Sequence, residues 1–259
     1  MVRVRYHPEM MDRRVGPLVL WMARVAAVVG FAVVLSAAFR TGWTRISTDF
    51  PNYYIGAVAA RHHDSLPNLY DWTWFARQMN YAGIENQLGG YVPQSPATML
   101  PMIPIAGFPP LTAKRTWLVL NLILLLAVIG ILARMTGVRW EYLTILLLCG
   151  YRSLMTNFIY GQYYIFLLFL LTLTLYTFAR QRDGLSGFLC GATFAMKLYP
   201  GPLLIYLRRQ ARLDERARHG GRRCVCGRRR AAAVRMERHC ILPDARSAAN
   251  AGGQFRRSI

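Results

Sequence analysis

Three side chains stand where an apolar chain has little reason to keep them. They are Asp49, Gln162 and Lys197. Asp49 lies in Ser47-Thr48-Asp49-Phe50-Pro51-Asn52-Tyr53-Tyr54, just after the first long apolar run. A carboxylate there can act as a general base on a hydroxyl. Thr48 or Asp49 can equally cap a helix that begins near Pro51, and a capping acid is also a fixed acid. Gln162 follows Gly161, with Asn157 and Tyr160 close by, so amides gather near the end of an apolar run. Such amides join helices or touch a ligand. Lys197 follows Cys190-Gly191-Ala192-Thr193-Phe194-Ala195-Met196. An ammonium in that setting needs a partner, a wet cavity or an anionic ligand, unless it snorkels to an interface.

Other clusters carry less. His62-His63-Asp64 places neighbouring side chains in different directions, and no further metal ligands are evident. Cys224-x-Cys226 with His239-Cys240 matches no common zinc spacing. No metal site is therefore expected. Asp71 suits a helix cap and Glu85 a solvated charge. Tyr91-Val92-Pro93-Gln94-Ser95-Pro96 suits a rigid turn. Gly187 and Gly191 form a GxxxG, the pattern of close helix packing.

The elements that must hold these residues are membrane helices. Of 259 residues, 54% are hydrophobic, and several runs are apolar on every face. The net charge of +20 would suggest nucleic acid. Its distribution argues otherwise. Residues 208–259 hold fifteen Arg, no Lys and four acids, which is +11 of the total. The rest lies mostly in short flanks between apolar runs. The expected class is all-α and polytopic, in the cell's inner (plasma) membrane, with no nucleic-acid partner.

In chain order, residues 1–16 form a basic cytoplasmic N-terminus and 17–207 a multi-span membrane domain. Pro17 to Phe39 is the first span, with Arg24 snorkelling to the cytoplasmic interface. Residues 40–96 form an aromatic outer loop. Two interfacial helices are expected in it, near Pro51 with Ile55, Val58, Ala59 and His62 on one face, and near Asp71 with Trp72, Phe75 and Met79. Residues 97–111 suit a kinked span or re-entrant segment, with Lys114 and Arg115 in a cytoplasmic turn. Trp117 to Ala133 and Phe158 to Ala179 are clear spans, and Tyr142 to Tyr151 a short tilted one. Gly184 to Leu207 is broken at Pro200 and Pro202. The basic pairs at its two ends conflict with a single crossing, so either it is a broken hairpin or one earlier run does not cross. Beyond Leu207 the Arg-rich texture fits a shifted reading frame, or a disordered basic tail drawn to anionic lipid.

These pieces resemble, in order, glycosyltransferase family 87. The resemblance rests on Asp49-Phe50 with Tyr53-Tyr54, on Tyr91, Pro93, Pro96, Pro101 and Pro104, and on Trp117. Asn157 with Gly161-Gln162 and Gly187…Gly191…Lys197-x-x-Pro200 complete it. It covers roughly residues 17–209, and family members continue with further spans. The resemblance implies a GT-C fold and an inverting transfer of a mannose-like hexose from a polyprenyl-phosphate donor to a lipid or glycan hydroxyl. The reaction would lie outside the cytoplasmic leaflet. Asp49 would be the catalytic base, Tyr53, Tyr54 and Gln162 would bind substrate, and Lys197 would face the lipid phosphate. No cofactor is implied. The alternative is a non-enzymatic membrane protein, a transporter or assembly subunit, whose broken helices would also hold an intramembrane Lys.

Overall fold

The computed structural model describes residues 16–46, 49–85, 87–91, 94–198, 200–203 and 205–209. Residues 3–207 form one compact unit, and residues 1–2 with 208–259 another, of which only Arg208 and Arg209 are described. The N-terminal flank, Thr48, the Cys224–Cys240 cluster and the expectations for the tail lie outside the described residues. Every regular element among the described residues is helical.

Helix α1 (Pro17–Thr44) opens with Pro in its first turn, where the missing N–H costs nothing. It buries only Ala27, Ala38 and Gly42, while Leu18, Val19, Trp21, Val28 and Val33 face outward. An apolar helix with an apolar exposed face belongs in lipid. Helix α4 (Pro110–Thr136) is the second helix long and apolar enough to cross a membrane. Helices α5 (Trp140–Cys149) and α6 (Tyr151–Tyr160) pass the same test only together, bent by 77° at Gly150. Helices α7 (Tyr164–Ala179) and α8 (Asp183–Met196) are shorter. Helix α1 packs along α5 and α6, α4 on α7, and α7 on α8. At Gly42 the approach of α6 is so close that a Cβ would lie 2.6 Å from the Phe158 carbonyl oxygen, so only glycine fits.

Between α1 and α4 lie α2 (Asp49–Arg61), a 3-10 turn (Leu66–Tyr70), α3 (Trp72–Tyr81) and a second 3-10 segment (Pro96–Ile105). Asp71 caps α3 as expected, its Oδ1 accepting from the N–H of Thr73 at 2.7 Å and Trp74 at 3.1 Å. The expected faces hold in part: Ile55, Ala59, Phe75 and Met79 are buried, but His62 and Trp72 are exposed. Helix α2 also buries Phe50, Tyr53, Tyr54 and Ala57, so it is a packed element of the fold.

Three expectations need correction, and one pair of alternatives narrows. Of the two forms expected for residues 97–111, the re-entrant segment fits and the kinked span does not: the 3-10 segment Pro96–Ile105 would be about 20 Å long, short of a hydrocarbon core. Pro96, Pro101 and Pro104 favour that shape, since each removes a backbone donor and resists α-helix continuation. Lys114 and Arg115 do not mark an end opposite to the outer loop. Lys114 bonds the Arg45 carbonyl, and Arg115 Nε donates to the Trp43 carbonyl at 3.0 Å, so α4 begins where α1 ends. Arg24 is held by a protein partner: its Nε and Nη2 both donate to Glu141 Oε1 at 3.1 Å. Glu141 is fully buried and also accepts from Arg139 at 3.4 Å, which ties α1 to α5. The GxxxG at Gly187 and Gly191 makes no close helix contact: nothing lies within 4 Å of a Cβ at either position among the described residues.

Candidate active site

The end of the bundle where α1 stops and α4 starts brings together residues far apart in sequence. Asp49 sits in the first turn of α2, where the helix dipole favours a negative charge. Its Oδ2 accepts from Gln162 Nε2, across 113 positions of sequence. Gln162 lies in the turn between α6 and α7, after Gly161 in the left-handed conformation (φ 66°). The indole N–H of Trp117, buried in α4, donates to the carbonyls of Gly161 at 3.1 Å and Gln162 at 3.3 Å. A Cβ on Gly161 would lie 3.1 Å from Phe50 Cβ, so the turn packs directly on the residue beside Asp49.

Tyr53 lies four residues after Asp49, on the same face of α2. Its ring meets Tyr163 edge-on at 4.7 Å between centroids. Tyr163 stacks on Tyr164 at 5.4 Å, and the Lys197 ammonium lies 5.9 Å from the Tyr164 ring centroid. A run of aromatic rings therefore leads from the acid and amide to the ammonium. Tyr53 and Tyr163 are buried, whereas Asp49, Gln162, Tyr164 and Lys197 reach solvent. Burial, then the nearby Tyr163 and Asp49, hold the Tyr53 phenol well above its ordinary pKa. It is a neutral hydroxyl, able to donate and accept.

Tyr54 is placed elsewhere. Its hydroxyl donates to the Phe108 carbonyl at 2.8 Å and its ring stacks on Phe50 at 5.7 Å, which fastens α2 to the start of α4. Asn157 is buried, with both side-chain amide atoms unpartnered among the described residues, and only its carbonyl helps close the turn before Gln162. His62 and His63 are exposed beyond α2, and among the described residues no three His, Cys, Asp or Glu side chains gather as metal ligands.

Three residues beside the site were not singled out by the sequence. Tyr163 and Tyr164 open an apolar run, where interfacial tyrosines are common enough to hide them. Gln94 accepts from the Tyr163 hydroxyl at 3.5 Å through Oε1, and its carbonyl accepts from Tyr70 at 3.0 Å. The turn that carries Gln94 is held by Tyr91, whose hydroxyl meets the Ser95 carbonyl and Thr98 Oγ1, each at 3.1 Å. Burial pushes the Tyr91 phenol up to about 12.

The arrangement is an acid held by an amide, with buried phenol groups beside it and an ammonium at the far end of an aromatic surface. Such a site can deprotonate a hydroxyl, hold a polyol against rings and meet a phosphate. Comparison with known families gives a match to the model of glycosyltransferase family 87 over residues 94–218. No curated protein and no solved structure matches the chain. The matched stretch begins later than the expected resemblance and runs past residue 209. It contains Gln162 and Lys197, while Asp49, Tyr53 and Tyr54 precede it. Over residues 94–218, just under half of its length, this helical membrane protein is similar to glycosyltransferase family 87.

Proposed function

We propose that the chain moves a mannose-like hexose from a polyprenyl-phosphate donor to a hydroxyl of a lipid or glycan acceptor, in a GT-C-like architecture. The proposed location is the extracytoplasmic face of the inner (plasma) membrane, with the chain crossing several times. Charge placement supports that orientation. Arg134, Arg139, Arg180 and Arg182 belong to the ends of α4, α5, α7 and α8 away from Asp49. The positive-inside rule assigns those ends to the cytoplasm.

In this reading the Asp49 carboxylate takes the acceptor's hydroxyl proton. The oxygen lone pair attacks the anomeric carbon from the face opposite the lipid phosphate. The carbon–oxygen bond to phosphate breaks and its electron pair stays on the phosphate, so configuration inverts and polyprenyl phosphate leaves. Gln162 holds the base in place. Tyr53, with Tyr163 and Tyr164, orients the sugar. Lys197 offsets the charge growing on the leaving phosphate. The donor carries the activated sugar, and no cofactor enters the scheme.

The observation that carries the reading is the contact of Asp49 with Gln162, because it joins an acid outside the family match to an amide inside it. The test is transfer of label from a polyprenyl-phosphate hexose in membranes holding the full chain. Asp49→Asn should lower the rate by about 10²- to 10⁴-fold, the usual worth of a general base. A rate unchanged by Asp49→Asn removes the assigned role. Absence of transfer from every such donor removes the reaction itself.

A further inference from the structure

Lys114 is buried completely at the start of a membrane helix, so the cytoplasmic flank expected from the sequence does not account for its charge. Its ammonium donates to the carbonyl of Arg45 and, at 2.8 Å, to the carbonyl of Ile159. The first carbonyl follows the end of α1, in the link that leads to Asp49. The second belongs to the last turn of α6, in the link that leads to Gln162. Both come from helix ends, where backbone carbonyls lack intrahelical partners and the dipole favours a cation. A Cβ on Gly161 would meet Lys114 Cε at 3.5 Å and Phe50 Cβ at 3.1 Å, so Lys114 lies directly under the paired links.

We infer that Lys114 is a positioning residue that sets the register between Asp49 and Gln162. One ammonium ties the two links to α4, and neither link reaches the other through regular secondary structure. Trp117, one turn further along α4, fixes the Gly161 and Gln162 carbonyls on the same side. Together the two side chains make the start of α4 a template on which the pair is assembled. The geometric claim stands by itself, and its consequence for transfer rests on the proposed roles of Asp49 and Gln162.

The test reads backbone placement without activity. In the full chain, with its five native cysteines replaced by alanine, Asp49→Cys/Gln162→Cys is bridged with a short bis-thiosulfonate in membranes. Those substitutions remove the pair's own hydrogen bond, so the surrounding structure alone sets the bridging rate. Arg24→Cys/Glu141→Cys, at the other end of α1, serves as the reference pair. Lys114→Met should slow bridging at 49/162 by about tenfold, the worth of one hydrogen bond to a charged group, and leave 24/141 unchanged. Lys114→Arg, which keeps donors and charge, should recover most of the loss. Unchanged bridging at 49/162 overturns the inference. Equal loss at both pairs also overturns it, because Lys114 would then serve folding in general. If bridging behaves as expected and no variant of the chain transfers sugar, the proposed reaction fails while the positioning role stands.

Discussion

Replacing Gln162 by Leu keeps most of the side-chain volume and removes the donor that meets Asp49 Oδ2. A hydrogen bond to a charged group contributes about 1.5–3 kcal/mol. Asp49 and Gln162 are both partly open to solvent, so the lower end applies. A loss of about 1.4 kcal/mol is a tenfold change in rate. The loss should fall on kcat more than on KM, because a base free to swing still admits the acceptor but meets it in productive geometry less often. The discriminating assay is a double-mutant cycle on initial rates of transfer from a labelled polyprenyl-phosphate hexose. If Gln162 acts by holding the base, Gln162→Leu should cost about tenfold in the wild-type background and almost nothing beside Asp49→Asn. A further tenfold loss in the Asp49→Asn background would refute this, since Gln162 would then act on the sugar or the donor independently. A wild-type rate in Gln162→Leu would show that the contact does no work in transfer.

Tyr54→Phe removes only the hydroxyl that donates to Phe108. It should lower the melting midpoint in detergent by an amount equal to about 1 kcal/mol and leave transfer intact; a selective loss of transfer would return Tyr54 to the substrate. Gly161→Ala forces a side chain into a left-handed backbone and against Phe50. Thermal unfolding should show about 1–2 kcal/mol of destabilisation, and an unshifted midpoint would contradict the packing described. Glu141→Leu leaves Arg24 and Arg139 without their shared acceptor, but Arg24 is half exposed and can turn to water. The expected cost is about 1–2 kcal/mol by the same assay, below that of a fully buried pair. Tyr91 titrates at about 12 when folded, against an ordinary 10.0. The folded state therefore holds its proton more tightly, and that stabilisation is complete below pH 10 and disappears as pH rises toward 12. A melting midpoint in Tyr91→Phe that falls over this window as steeply as the wild type's would show that another group is responsible.

The sequence shows the helical membrane class, the two long spans and the cap at Asp71, because composition and local bonding decide those features. It misleads at Lys114 and Arg115. A basic pair after an apolar run counts as a cytoplasmic flank only if the charges face water or lipid headgroups. Here Lys114 is satisfied by backbone carbonyls and Arg115 by the Trp43 carbonyl and its ring, 5.4 Å from the guanidinium. Nothing local in the chain distinguishes a lysine bound to carbonyls from one that marks a membrane side. Of the two readings of 97–111 only the kinked span fails, for a related reason: hydropathy measures how apolar a run is, and proline decides how far it reaches.

Asp49, Gln162 and Lys197 are each visible as polar residues in apolar surroundings, but their grouping is not. The acid and the amide are separated by 113 positions, and no spacing rule pairs them. What pairs them is α4, whose first turns hold the end of α1 through Lys114 and the α6–α7 turn through Lys114 and Trp117. The family match begins at residue 94, and Asp49 meets it through the hydrogen bond from Gln162. The matched stretch contains the amide, the paired tyrosines, the ammonium and the α4 template. In the proposed reaction the unmatched stretch supplies the carboxylate of Asp49, from a helix packed by Phe50, Tyr53 and Ile55.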